Sequence, residues 1–98
     1  MGYVIASNHV TVDRKPIGYC YRERPDSDED SGWRVFSGDE SQAYADDPAN
    51  FSMVNASTIV RLDPSITPVL TRLYPIAFER DEATGDFVEL ESEDRPRF

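Results

Sequence analysis

Short stretches with a period of two dominate the apolar pattern, and they are broken often by glycine, proline and acid. Tyr3-Val4-Ile5-Ala6-Ser7 and His9-Val10-Thr11-Val12 are rich in β-branched and aromatic residues, and Asp13-Arg14-Lys15-Pro16 interrupts after them. The composition predicts strand, turn, strand. In Ile17-Gly18-Tyr19-Cys20-Tyr21-Arg22 the alternation predicts a further strand, with Ile17, Tyr19 and Tyr21 on one face and Gly18, Cys20 and Arg22 on the other. Trp33-Arg34-Val35-Phe36 repeats this composition until Ser37-Gly38 stops it, and Phe51-Ser52-Met53-Val54 is a further short candidate. Ala77-Phe78-Glu79-Arg80 and Phe87-Val88-Glu89-Leu90 flank Asp81 to Asp86, where Gly85 can take a positive φ, so a closing hairpin is predicted.

Helical signals are fewer and shorter. Asp39 and Gln42 have the spacing of a capping box, which predicts a short helix over Glu40 to Tyr44, ended by Asp46-Asp47-Pro48. Asn55 can cap a turn or helix carrying Ile59, Val60 and Leu62. Ile66, Val69, Leu70 and Leu73 fall at i, i+3, i+4 and i+7, one apolar stripe, and the prolines there predict one turn near Pro64 and a main helix from Pro68. The elements sum to an α+β fold: a small, mostly antiparallel sheet with two or three short helices packed against it, forming one domain over residues 1–90. Residues 91–98 are expected to be a frayed, charged tail.

Composition narrows the function classes. Nineteen acids against ten Lys and Arg give a formal net charge of −9, a field that repels phosphate backbones and anionic lipid headgroups and attracts basic partners. Neither nucleic acid nor membrane is therefore an expected partner. Cys20 is the sole cysteine, so no internal disulfide and no cysteine-based zinc set can form. No charged leader precedes the apolar start from Tyr3, and the expectation is a cytoplasmic protein.

Candidate chemistry is sparse, and no catalytic residue, metal site or cofactor is predicted. Nucleophilic catalysis would need Cys20 or a serine beside His9, the sole histidine, and the favoured reading is Cys20 as a small half-buried strand residue and His9 as a turn or strand-edge residue. Asp26-x-Asp28-x-Asp30 opens like a calcium loop, but Gly32 arrives one place late and Ser37 stands where a bidentate glutamate is needed. The segment Glu23 to Gly32 is instead expected to be a solvated loop. Its acids Asp26, Asp28, Glu29 and Asp30, with Asp46 and Asp47, are the candidate partner-binding residues. Trp33 and Tyr19 are read first as core and second as an interface anchor. Arg34 is expected to pair with Asp39, Glu40 or Glu79, with a ligand carboxylate as the other possibility.

The run Ser31-Gly32-Trp33-Arg34-Val35-Phe36-Ser37-Gly38-Asp39-Glu40, then Tyr44, Asp46, Pro48 and Asn50, then Asp63-Pro64-Ser65-Ile66 and Phe78-Glu79-Arg80, resembles the bacterial immunity-protein-33-like domain family. The resemblance spans residues 3 to 88. It implies that some relatives neutralise a toxin encoded beside them, and it assigns no ligand or catalytic residue. Charge and resemblance together lead to a non-enzymatic binding protein whose partner is a basic protein such as a cognate toxin. The alternative is a small-ligand or enzymatic domain with a pocket lined by Trp33, Arg34 and Glu79. A third reading is a module that pairs with itself through an exposed sheet edge.

Overall fold

The computed structural model describes residues 2–91. The tail expected beyond Glu91 lies outside the described residues. Strand β1 is Tyr3–Ser7, helix α1 Asn8–Thr11, β2 Tyr19–Arg22, β3 Asp30–Phe36, α2 Gln42–Ala45, β4 Phe51–Asn55, α3 Ala56–Leu62, β5 Ile76–Arg80 and β6 Phe87–Glu89. Single 3₁₀ turns occupy Pro48–Asn50, Pro64–Ile66 and Val69–Thr71. The six strands form one open sheet in the order β4-β1-β3-β2-β5-β6. Neighbours run antiparallel except β1 and β3, which are parallel.

Alternation divides the strands between two faces. Val4, Ala6, Cys20, Trp33, Val35 and Phe78 point to the face covered by α1, α3 and the later 3₁₀ turns, and they pack there with Val10, Ile59, Ile66, Val69 and Leu70. The opposite face carries Tyr19, Phe36 and Ala77, with Tyr21, Phe51 and Leu90 packed beside them. Helices α1 and α3 thus lie on one side, while α2 borders the aromatic face on the other, with its Tyr44 ring 6.3 Å from that of Phe51.

Several sequence expectations are corrected. His9 to Val12 does not form a strand: the Ser7 side chain accepts a hydrogen bond from the His9 N–H at 3.1 Å and starts α1, so a local cap overrides β-propensity. Ile17 packs with Cys20 rather than with Tyr19 and Tyr21. It lies before the paired segment, with its N–H donating to Asp63 and its carbonyl accepting from Arg80. Helix α2 begins after Ser41, whose hydroxyl accepts from the Tyr44 N–H, so Asp39 and Gln42 form no capping box. The apolar stripe from Ile66 does not become an α-helix. Pro64 and Pro68 each start a single 3₁₀ turn, burying Ile66, Val69 and Leu70 while Leu73 stays 78% exposed. The hairpin stands as expected, with Gly85 at φ 77° in its turn.

Candidate functional site

Arg34 organises the aromatic face. It is buried at the centre of β3, between β1 and β2 in the sheet. Its guanidinium makes a two-pronged contact with Asp30, both bonds at 2.8 Å, and its Nε donates to Glu23 at 2.7 Å. Nη1 also donates to the Trp33 carbonyl at 3.2 Å, and Asp26 stands 3.9 Å from Nη2. The sequence expectation for Arg34 is corrected: its partners are Glu23 and Asp30, not Asp39, Glu40 or Glu79. The hydrogen bonds from Arg34 outweigh burial and hold the Asp30 carboxyl well below the usual carboxylate range, and Asp30 in turn raises Arg34.

A break in strand regularity makes this pair possible. Between Tyr3 and Ile5 the register of β3 against β1 slips, from Asp30 to Arg34, leaving extra residues in β3. Gly32 sits in that bulge at φ 87°, and its N–H donates to Asp30 at 2.9 Å. A Cβ at this position would lie 2.2 Å from the Glu23 carbonyl oxygen, so only glycine lets β2 and β3 approach so closely.

Beside Arg34, a hollow of about 220 Å³ is lined by Ile5, Tyr21, Arg34, Phe36, Ala45 and Phe51. The Tyr21 and Phe36 rings are near parallel with centroids 5.9 Å apart, and Phe36 meets Phe51 edge-on at 5.7 Å. Exposed Met53 and half-buried Leu90 extend the apolar character of this face.

The expected acidic residues separate into two kinds. Asp26, Asp28 and Glu29 are exposed, whereas Asp30 is buried in its pair with Arg34 and so does not belong to the exposed acidic surface. Asp46 ends α2 and accepts from the Gln42 side chain at 2.8 Å, and Asp47 caps the following 3₁₀ turn through the Ala49 N–H. Both remain exposed. The alternative pocket of Trp33, Arg34 and Glu79 is not assembled. Trp33 is fully buried on the helix-covered face, Arg34 lies on the other, and Glu79 borders a separate depression with Arg80 and Asp81.

A second buried carboxylate holds a turn instead of pairing with Arg34. Glu40 accepts hydrogen bonds from the N–H groups of Ser37 and Gly38, each at 2.9 Å, and from the Ser37 hydroxyl at 3.1 Å. His9 Nδ1 lies 3.1 Å from the Ser37 oxygen and 3.5 Å from Glu40. Burial pushes the Glu40 carboxyl up, but hydrogen bonds from Ser7 and from the Ser37, Glu40 and Gly38 backbone leave it below its ordinary value. The group folds the turn after β3. Its hydroxyl and carboxylate both meet Nδ1, whereas a catalytic serine and acid would use opposite ring nitrogens. Cys20, on β2, is fully buried, and burial pushes its thiol up to about 12, with only partial offset by Arg80. Such a thiol is not a nucleophile at neutral pH. Among the described residues, no three His, Cys, Asp or Glu side chains are grouped to hold a metal ion, and no helix is long and apolar enough to cross a membrane.

The fold and site define an α+β protein with one helix-covered sheet face and one aromatic face, the latter centred on a neutralised arginine and bordered by exposed acids. The family model described as the immunity protein Imm33 domain matches residues 4–91, and the chain belongs to that family. No curated protein and no solved structure matches the chain.

Proposed function

We propose that this chain is a non-enzymatic immunity-type protein of the bacterial cytoplasm that masks a basic protein partner, a cognate toxin. Membership of the immunity protein Imm33 domain family over residues 4–91 is the observation that carries this reading. The net charge of −9 supports it, since complementary fields speed association and confer selectivity. Asp26, Asp28 and Glu29 before β3, and Asp46 and Asp47 after α2, are the exposed carboxylates that would steer the partner. Opposing the small-ligand alternative, Arg34 already spends its donors on Asp30, Glu23 and the Trp33 carbonyl, which leaves little for a ligand carboxylate.

A tagged pull-down from the source lysate at low and moderate salt, with bound proteins identified by mass spectrometry, tests the reading. The expected result is one basic, stoichiometric partner that is toxic alone and silenced by co-expression. Retention of no stable partner at either salt, from cells shown to express the toxin, would remove the masking role.

A further inference from the structure

We propose that the hollow lined by Tyr21, Arg34 and Phe51 receives a lysine or arginine side chain of the basic partner, seated against the Tyr21 and Phe51 rings and drawn there by Glu23 and Asp26, the exposed carboxylates at the Arg34 guanidinium. The inference rests on the immunity reading and names the place on this chain where the partner seats. At about 220 Å³ the hollow is smaller than the roughly 300–1,000 Å³ of ordinary small-molecule pockets, and it suits a single long side chain. Tyr21 and Phe51 are both half-buried, so each retains exposed surface. A cation within about 6 Å of such rings is attracted by their negative faces.

Charge decides what the hollow admits. Arg34 alone would repel a cation, but Asp30 at 2.8 Å, Glu23 at 2.7 Å and Asp26 at 3.9 Å place three carboxylates around one guanidinium. The surroundings are therefore net negative. The side chains of Glu23 and Asp26 are 51% and 85% exposed, while Asp30 is enclosed. The Tyr21 hydroxyl reports the same field: burial raises it, and the Glu23 carboxylate raises it further against the opposing pull of Arg34. An anionic ligand would meet carboxylates and a guanidinium that already makes four hydrogen bonds from its five N–H donors. A second copy of this chain would bring a net charge of −9 against the same charge.

The test is an NMR titration of the full chain with N-acetyl-arginine amide, with the acetyl amides of glutamate and leucine as controls. The expected result is saturable shifts at Ile5, Tyr21, Ala45 and Phe51 with the arginine probe alone. Phe51→Leu, which keeps an apolar side chain but removes the ring, should weaken binding about two- to fivefold. Glu23→Gln should weaken it about threefold. Ala45→Phe, which fills the hollow from its rim, should abolish it while the dispersed spectrum shows an intact fold. Equal binding of the leucine probe would overturn the proposal, as would shifts confined to the Asp26 to Glu29 loop. Concentration-dependent shifts at these residues without probe would instead assign the hollow to a second copy. Tighter probe binding in an Arg95→Gln, Arg97→Gln double variant would assign it to the chain's own arginines; either result overturns the partner assignment.

Co-expression with the toxin separates this inference from the reading beneath it. If the native chain and Ala45→Phe protect equally, the hollow assignment falls and the immunity role stands. If the native chain gives no protection but still binds arginine in the hollow, the immunity role falls and the site stands.

Discussion

Asp30 and Arg34 show how one residue pair can hold a strand centre and set the charge of a surface together. Removing one member of a buried pair leaves the other charge uncompensated, so Asp30→Asn should lower unfolding free energy by about 3 kcal/mol in urea denaturation, even with Glu23 still present. The folded Asp30 carboxyl lies below its unfolded value, so the folded state binds fewer protons there. Its contribution is therefore complete above the ordinary carboxylate range and is lost as pH falls from about 4 toward the lower folded value. Urea midpoints across that interval should fall for the native chain and change less for Asp30→Asn. Glu40→Gln should cost about 1–3 kcal/mol by the same measurement, because the replacement amide cannot accept all the Ser37 and Gly38 hydrogen bonds. At this scale the sequence revealed residue types better than pairings. It showed a strand arginine amid many acids, but four residues of regular strand span about 13 Å, which disguises Asp30 as a partner until the bulge at Gly32 is known.

Elements were legible wherever period-two alternation and turn chemistry agreed. Tyr19 to Arg22, Trp33 to Phe36, Phe51 to Val54 and the hairpin around Gly85 all form strands. The failures share a cause, since each depends on a single hydrogen bond or backbone angle that alternation does not encode. Ser7 turned a β-branched run into α1, Ser41 moved the start of α2, and two prolines split an apolar stripe into 3₁₀ turns. Two glycines allow the backbone contribution to be measured. Gly85 has a positive φ but nothing within 4 Å of an added Cβ, so Gly85→Ala should cost about 1 kcal/mol, the conformational term alone. Gly32→Ala adds the close approach to the Glu23 carbonyl and should cost more, with amide shifts along β2 and β3 that the Gly85 variant lacks.

The whole molecule combines an acidic field with unequal coverage of its sheet. Net charge was readable in the sequence, and so was the family, which the match over residues 4–91 established. The side on which the aromatic cluster gathers was not readable, because alternation places residues on two faces without telling which one α1 and α3 will cover. Trp33 and Arg34, adjacent in sequence, consequently lie on opposite sides. The side chains of Asp28 and Glu29 are exposed, so Asp28→Asn with Glu29→Gln should leave the urea midpoint unchanged. For the proposed basic partner, stopped-flow association should slow severalfold in that variant and lose part of its salt dependence. An unchanged on-rate and salt dependence would show that this loop does not steer. The most direct test of the proposed immunity role is growth of cells expressing the basic partner captured from the source lysate, with and without the chain. The account expects growth to be restored only when the native chain is co-expressed at stoichiometric level. Continued killing despite folded, abundant protein would contradict it.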